Sequence, residues 1–428
     1  MENGITHEVT VVILQLAFIF LIARVSGEIF ERYLKQPSVL GELVAGMIFS
    51  PYLLGATLSF PGIGQLFPAL SPDSLEAHAN IPVAFPLYAI GQVASVLLLF
   101  MAGLQTNLAS FLRYAGRAGI VGAAGIVIPF VAGAFITVAF GYADNFFEGH
   151  ALFMGAILAA TSVGITARVL SEIKKLDTPE GITILGAAVV DDVLGILVLA
   201  IVVNLVESGN INLSAIGITA IKALGIWLAL SAFFICTAPW IARMWSWFRT
   251  PGSSLVLTLF ACFLAAAICE SVGLALIIGA YIVGLAFSNT PIAENMIEEM
   301  KGVYHVFVPI FFVLLGMLVN FKSMQHALLF GILISLVAIA GKFIGCGAAG
   351  LACGFNILGA TRIGLGMIPR GEVALIIAGY GLTRGVVNQD MFGVAILMTM
   401  ITTFLAPIFL VPVFRIPGKG LRSPEYAN

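Results

Sequence analysis

Charge is scarce in this chain. Only 10% of its 428 residues are Asp, Glu, Lys or Arg, whereas 60% are hydrophobic and the mean hydropathy is +1.08. This composition exceeds what a soluble domain can keep in solution, so the sequence predicts an integral membrane protein. The formal net charge of −2 provides no basic surface for nucleic acid, and no long run of like charge suggests a tail for a soluble partner.

Signatures of catalysis and of resident cofactors are also missing. The sequence shows no nucleophile motif, no phosphate-binding loop and no metal-ligand spacing. The cysteines lie in or beside apolar segments and are expected to be small buried hydrophobic residues without a function. They are Cys236, Cys262, Cys269, Cys346 and Cys353. We therefore expect a transporter rather than an enzyme, with no cofactor, whose partners are lipid, small ions and a second copy of the chain.

Apolar runs recur along the whole chain. A bilayer core requires about 20 apolar residues per helix, and windows of that length predict thirteen spans in an all-α polytopic protein. Their predicted limits are 8–24, 38–57, 84–104, 117–140, 151–172, 182–206, 214–236, 253–269, 272–288, 303–321, 325–354, 361–384 and 390–414. No Lys or Arg precedes the first run and no small-residue cleavage site accompanies it, so we expect that run to be retained as a span.

Basic residues alternate between the predicted loops. One set of loops holds most of the Lys and Arg, whereas the opposite set holds only Lys322 and Arg384. Cytoplasmic loops are enriched in these residues. We therefore predict a multi-pass inner-membrane protein with its N-terminus outside and its C-terminus in the cytoplasm. The long connection 52–83, which contains no Lys or Arg, is expected to be external.

Two short stretches of the first half resemble stretches of the second. Residues 44–50 (VAGMIFS) in span two resemble 282–288 (IVGLAFS) in span nine, and 100–103 (FMAG) in span three resemble 313–316 (VLLG) in span ten. Both matches pair a span with the one seven places later. An odd offset turns the second copy upside down, as in many secondary transporters. Spans one to six and eight to thirteen are thus predicted to be inverted six-helix repeats, with span seven as the connector.

Transporters built from inverted repeats bind their substrate where two broken helices cross near the bilayer midplane. Spans five and twelve occupy matching positions and are expected to be these helices. Span five carries Thr161 and Ser162 among small residues, and span twelve carries Pro369 among several glycines. Proline removes one backbone donor and clashes with the preceding turn. A simple kink or a closely packed helix seam is the alternative for each segment.

Two adjacent carboxylates, Asp191 and Asp192, lie about ten residues into span six. At 1.5 Å per residue this places them roughly 15 Å from the inner end of the helix, near the midplane. Ionisable groups at this depth are costly and usually mark an ion or proton path. Because adjacent helical positions point about 100° apart, one carboxylate can face a partner helix while the other faces a water-filled cavity.

Three further charges are predicted at membrane depth. Lys342 lies midway along span eleven and requires a carboxylate, for which Asp191 is the leading candidate; a snorkelling lysine is the alternative. Arg370 and Glu372 flank Gly371 in span twelve. Because Arg remains charged, Arg370 is expected to hold a carboxylate or the carbonyls of a broken helix, either within a structural ion-pair network or with a part in transport. Glu42 and Lys222 lie nearer the interfaces and are expected to be structural.

The oxygen atoms of Asp192, Thr161 and Ser162 would suit a hard monovalent cation, which prefers oxygen ligands. Protons compete for the same carboxylate. Carriage of either a cation or a proton by Asp192 would permit reorientation, and this competition produces exchange. The cation is then cargo rather than a resident metal.

Three segments resemble the signatures of the cation:proton antiporter 2 family, and the bacterial sodium/proton branch fits best. These segments are 160–170 (ATSVGITARVL), 189–196 (VVDDVLGI) and 369–373 (PRGEV), accompanied by 311–317 (FFVLLGM). The aspartate pair is the most specific element. The resemblance implies the sodium/proton antiporter fold, with Asp192 as the ion-binding carboxylate and Asp191 as the partner of Lys342. It also implies sodium or lithium as the cation and a part in pH homeostasis.

The same resemblance implies a homodimer with an elevator-like core. Residues 1–109 and 253–324 would form the dimerisation and scaffold domain, residues 110–207 and 325–428 the ion-translocating core, and residues 208–252 a linker helix. Relatives with paired aspartates are electrogenic, so Asp191 favours electrogenic exchange. A potassium/proton antiporter is the nearest alternative. A gated cation channel or a sodium-coupled solute symporter is a more distant one.

Overall fold

The apolar runs form helices, which pair their backbone N–H and C=O groups locally, as a lipid environment requires. The computed structural model describes residues 2–61, 64–68, 83–208, 213–245, 247–320 and 328–422. Lys322 and half of the predicted external connection 52–83 lie outside these ranges. A short antiparallel hairpin, formed by β1 (Ser59–Phe60) and β2 (Gly64–Gln65), lies within the described part of that connection.

The described residues form fifteen α-helices, with a π-helical turn at Phe30–Leu34 and a 3₁₀ turn at Gly55–Thr57. The first eight are α1 (Glu2–Ile29), α2 (Ser38–Ile48), α3 (Phe85–Leu104), α4 (Leu108–Ala139), α5 (Gly149–Ala159), α6 (Val163–Glu172), α7 (Pro179–Ser208) and α8 (Leu213–Trp245). The others are α9 (Ser253–Ser271), α10 (Leu276–Phe287), α11 (Ala293–Met317), α12 (Leu328–Ala352), α13 (Ile357–Gly366), α14 (Glu372–Thr383) and α15 (Gln389–Arg415).

Each predicted span coincides with one helix or with one pair of half-helices. Within the described ranges, ten helical segments are long and apolar enough to cross a membrane, counting α5 and α6 as one. Four shorter apolar segments accompany them: Ser38–Ile48, Leu276–Phe287, Ile357–Gly366 and Val373–Leu382. The all-α polytopic class is confirmed, whereas the count of thirteen crossings stays a prediction where the helices are short.

Asparagine side chains begin three of the helices. Asn107, Asn356 and Asn388 each accept a hydrogen bond from the backbone N–H of the residue three positions later. Each side chain thereby satisfies one of the N–H groups that the first helical turn leaves unpaired. These caps fix where α4, α13 and α15 start.

The helices pack in two neighbourhoods. In one, α11 packs against α2 and α3, and α10 packs against α3 and α9. In the other, α4 packs against α5, α7 and α12, while α12 also packs against α13 and α15. The elements that carry the predicted site lie in the second neighbourhood or where the two meet.

Glycine allows two pairs of helices to touch backbone to backbone. A Cβ atom placed on Gly46 of α2 would lie 2.9 Å from the Cα atom of Gly316 of α11, and one placed on Gly284 of α10 would lie 3.1 Å from the Cα atom of Gly103 of α3. In the sequence comparison, Gly46 aligns with Gly284 and Gly103 with Gly316. A two-fold axis that exchanges the two halves would produce these two contacts, which supports the predicted inverted repeat.

Candidate functional site

Two helices are interrupted at the positions where the sequence places breaks. The first break separates α5 from α6 at residues 160–162, and the second separates α13 from α14 at residues 367–371. The two breaks touch, because the backbone N–H of Ser162 donates to the carbonyl oxygen of Pro369 at 2.8 Å. Gly371 is required for this approach, since a Cβ atom there would lie 2.6 Å from Ser162 Oγ. The half-helices therefore cross at residues 162 and 369–371.

Arg370 occupies the crossing and is completely buried. Its guanidinium donates to the carbonyl oxygens of Ile368 at 2.5 Å and Leu158 at 2.8 Å, with longer bonds to Ala338 at 3.2 Å and Met367 at 3.4 Å. Carbonyl groups at the end of a helix lack intrahelical partners. Of the two expected partners of Arg370, carboxylate or carbonyls, the structure shows carbonyls. The predicted charge at Glu372 begins α14, but its side chain lies outside what the structure describes.

Lys342 and Asp191 form an ion pair between α12 and α7. Lys342 Nζ lies 2.6 Å from Asp191 Oδ1, and both side chains are buried. The expected partner of Lys342 is therefore the one that the structure brings to it. The second oxygen, Asp191 Oδ2, is buried and has no hydrogen-bond partner among the described residues.

Gly125 of α4 makes room for this ion pair. The sequence interpretation missed this role of Gly125. A Cβ atom on Gly125 would lie 2.8 Å from Cys346 Sγ, 3.3 Å from Lys342 Nζ and 3.7 Å from Asp191 Oδ1. Any side chain there would press on the pair. The available signal was a glycine within a helix that packs against buried charges, since such a residue leaves space for them.

Asp192 faces a cavity rather than the lysine. The cavity has a volume of about 340 Å³ and is lined by residues of α3, α7, α9, α10 and α14. Only 5% of Asp192 is exposed. Its lining includes the start of α3 and the turn between α9 and α10, which lie at the face that bears few Lys and Arg. The charge alternation predicts this face to be external. The two adjacent carboxylates thus have the separate surroundings that their helical spacing predicts.

Thr161 and Ser162 lie within the first break. Both are buried, and neither hydroxyl oxygen has a hydrogen-bond partner among the described residues. Together with Asp191 Oδ2, they are buried oxygens whose bonding capacity is unused, and buried polar atoms of this kind require an explanation. A desolvated cation would satisfy such oxygens.

A second charged network joins α2 to α6 near the opposite, basic face. Arg168 lies 3.4 Å from Glu42 and 2.8 Å from Glu172, and the hydroxyl of Ser38 donates to Glu172 at 2.7 Å. The Arg168 guanidinium also lies over the ring of Tyr304 at 5.1 Å. Glu42 was expected to be structural, but Arg168 was not identified as its partner. The i, i+4 spacing of Arg168 and Glu172 was a visible signal for the pair within α6 alone.

A third buried pair lies beside the segment that follows α15. Arg362 lies 2.6 Å from Glu180 and also donates to the carbonyl oxygens of Ile416 and Gly418 at 2.7 and 3.2 Å. The backbone of Asn356 donates to Gly420 at 2.8 Å. The segment after α15 is therefore fixed to the starts of α7 and α13.

Two broken helices cross beside a carboxylate pair, a lysine is bound to one carboxylate, and a cavity reaches the other. In a membrane protein, this arrangement defines an ion-coupled secondary transporter. Comparisons with known proteins agree with this class. The sequence matches the family described as "Sodium/hydrogen exchanger, transmembrane" over residues 16–416.

Similar proteins come from curated sequences and from solved structures. The probable Na⁺/H⁺ antiporter GerT of Bacillus cereus is 35% identical, over 88% of this chain and 92% of its own length. The Na⁺/H⁺-K⁺ antiporter GerN of Bacillus cereus is 32% identical, over 96% of this chain and 98% of its own. The sodium proton antiporter MjNhaP1 from Methanocaldococcus jannaschii shares the fold, with a TM-score of 0.69 at 17% identity over 95% and 98% of the two chains.

The chain belongs to the sodium/hydrogen exchanger family. The resemblance to cation:proton antiporters stated from the sequence is confirmed, as are the multi-pass membrane character and the antiporter fold.

Proposed function

We propose that this chain exchanges sodium for protons across the inner membrane, with Asp192 as the carboxylate that binds either ion. The observation that carries the proposal is the unequal environment of the two aspartates. Asp191 is bound to Lys342 at 2.6 Å, whereas Asp192 lines the cavity. A carboxylate that water can reach can gain or lose a proton or a cation, which is the event that exchange requires.

The hydroxyls of Thr161 and Ser162 are proposed as further oxygen ligands. Their support is that both hydroxyl oxygens are buried without a hydrogen-bond partner in the part of the chain that the structure describes, at the crossing where half-helix ends also meet. Oxygen ligands suit sodium and lithium, which are hard cations. Arg370 is assigned an architectural role, since it holds carbonyl groups of α5, α12 and the second break together and leaves Asp192 to the transported ion.

Coupling is proposed to pass through Lys342. Cation binding beside Asp191 would release Lys342 from its partner, and the freed lysine would give up its proton to the water on that side. Lys342 and Asp192 would each take up a proton on the other side, so that more protons than cations move per cycle and the exchange is electrogenic.

An elevator-like displacement is the proposed means of alternating access. Residues 110–207 and 325–428 would move as the core against a scaffold formed by residues 1–109 and 253–324 in a homodimer, with 208–252 as the linker. Two features support this arrangement. The cavity that reaches Asp192 lies between α3, α9 and α10 of the scaffold and α7 and α14 of the core. Near the opposite face, the Glu42–Arg168 pair joins α2 of the scaffold to α6 of the core.

Potassium is the second candidate cation, because GerN carries potassium in its description as well as sodium. Proteoliposomes that contain the purified chain and a pH-sensitive dye test both. An imposed proton gradient should be dissipated on addition of sodium or lithium, less by potassium, and not by choline. A response to potassium alone would replace the sodium assignment, and no response to any cation would reject the exchange function.

A further inference from the structure

A second carboxylate shares the cavity with Asp192. Glu270 is the penultimate residue of α9, and its exposed side chain lines the same 340 Å³ space. After α9 the chain turns at Gly273, whose φ of 84° suits glycine, and enters α10 at Leu276. This short turn holds Glu270 on α9 and α10, whereas Asp192 projects from α7.

The charge of this cavity is of one sign. Among the described residues that line it, Asp192 and Glu270 are the charged ones and both are acidic. Tyr88 and Gln92 of α3 add neutral polar groups, and most of the remaining lining is apolar. Clefts with low-dielectric walls and charge of one sign focus the electric field and raise the local concentration of the opposite ion. A monovalent cation is therefore attracted to the mouth of the space that leads to Asp192.

Glu270 also has a local structural contact. Its carboxylate lies near the backbone N–H of Leu276, at the start of α10, which favours an oxygen acceptor there. A capping role alone would require an oxygen acceptor but no charge. Glutamine at position 270 retains the acceptor and removes the charge, so one substitution separates the two roles.

We propose that Glu270 recruits the transported monovalent cation at the cavity mouth and thereby sets the apparent affinity for sodium on that face alone. The inference rests on the proposed exchange function and deepens it. Because Glu270 lies on a different group of helices from Asp192, a displacement of the core would carry Asp192 away from it. The carboxylate then has no influence on ions that arrive from the opposite face.

The test compares Glu270→Gln, Glu270→Asp and Asp144→Asn in oriented vesicles, with sodium supplied on one face at a time. Asp144 is the matched control, since it is an exposed carboxylate in the loop after α4, on the face predicted to hold the cavity mouth, and does not line the cavity. The assay is run at alkaline pH and low salt, because protons compete for Asp192 and because the Debye length is about 30 Å at ~0.01 M but about 3 Å at ~1 M.

For Glu270→Gln we expect the KM for sodium on the cavity face to rise on the order of threefold to tenfold, with the maximal rate unchanged. Added choline chloride should screen the charge and abolish the difference in KM between Glu270→Gln and the unsubstituted protein. Glu270→Asp should retain the low KM. The KM on the opposite face should not change in either variant. An unchanged KM in Glu270→Gln, an equal rise on both faces, or an equal rise in Asp144→Asn would overturn the inference. Absence of sodium-dependent proton movement in the unsubstituted protein would instead reject the exchange function on which it rests.

Discussion

Lys342 Nζ and Asp191 Oδ1 lie 2.6 Å apart, and at most 1% of either side chain is exposed. The two residues are separated by 151 positions in the chain. Their charges compensate each other where water cannot, and the pair leaves the neighbouring Asp192 as the carboxylate that meets the cavity.

Asp192→Asn should abolish exchange and leave the protein folded, in the homodimeric state proposed above. An amide of the same shape cannot trade a proton for a cation. In the unsubstituted protein, exchange at limiting sodium should fall as the pH falls, because protons increasingly occupy Asp192, and added sodium should move this loss to lower pH. Dye-monitored exchange in proteoliposomes measures both effects, with size-exclusion chromatography as the folding control. Appreciable exchange by the variant would rule out Asp192 as the binding carboxylate.

Asp191→Asn should leave residual exchange with weaker voltage dependence, since the charge that balances Lys342 is gone. The measurement is the exchange rate as a function of an imposed membrane potential in proteoliposomes. If the variant responds to voltage as the unsubstituted protein does, the paired-charge mechanism is wrong.

Lys342→Ala should lower thermal stability by stranding Asp191 in a buried site. Removal of one partner of a buried ion pair costs about 3 to 5 kcal/mol, less any relief from proton uptake by the stranded carboxylate. The double substitution Lys342→Ala with Asp191→Asn should recover part of that loss. Thermal unfolding of the two single variants and the double variant in detergent completes the cycle. Losses that simply add would mean that the two residues do not interact.

Arg168→Met should destabilise the protein by a similar amount, about 3 to 5 kcal/mol, because Glu42 would be left buried without its cation. Addition of Glu42→Gln should restore part of the stability. Under the elevator proposal, the double variant should also expose the basic face of the α2–α6 seam more often. Hydrogen exchange of the amides around Ser38 measures this opening. Unchanged protection in that segment would contradict a closing role for the pair.

Gly371→Ala should impair exchange and lower stability by about 1 to 3 kcal/mol, because its Cβ atom would lie 2.6 Å from Ser162 Oγ and force the crossing apart. Gly119→Ala is the matched control, since a Cβ atom there meets nothing within 4 Å. Thermal unfolding and the exchange assay should distinguish the two variants. Equal behaviour would show that close approach of the half-helices is not required.

The sequence contains local signals for much of this architecture. Apolar length predicts the helices, and Pro369 with its surrounding glycines predicts a break that the structure places at 367–371. The pairing of Lys342 with Asp191 was predictable because a lone buried ammonium requires a carboxylate and few were available at that depth.

Other parts of the site depend on distances that no local pattern encodes. Arg168 and Glu42 are 126 positions apart, and several carboxylates near the basic face could have served Arg168 equally well by sequence alone. Glu270 resembles an ordinary helix-end residue until the cavity is seen. The carbonyl partners of Arg370 come from α5, α12 and the second break, so only the packed structure identifies them.

The glycine contacts Gly46–Gly316 and Gly103–Gly284 have a mechanical consequence. Side chains that interlock at a helix seam can exchange rotamers and settle into a new register, which allows packed helices to slide. A seam of bare backbone has no rotamers to exchange, and a shift of even one residue would drive a neighbouring side chain into the opposing carbonyls. The α2–α11 and α3–α10 pairs therefore have a single packing arrangement and move as rigid units. Relative motion of helices in this protein must occur at other contacts.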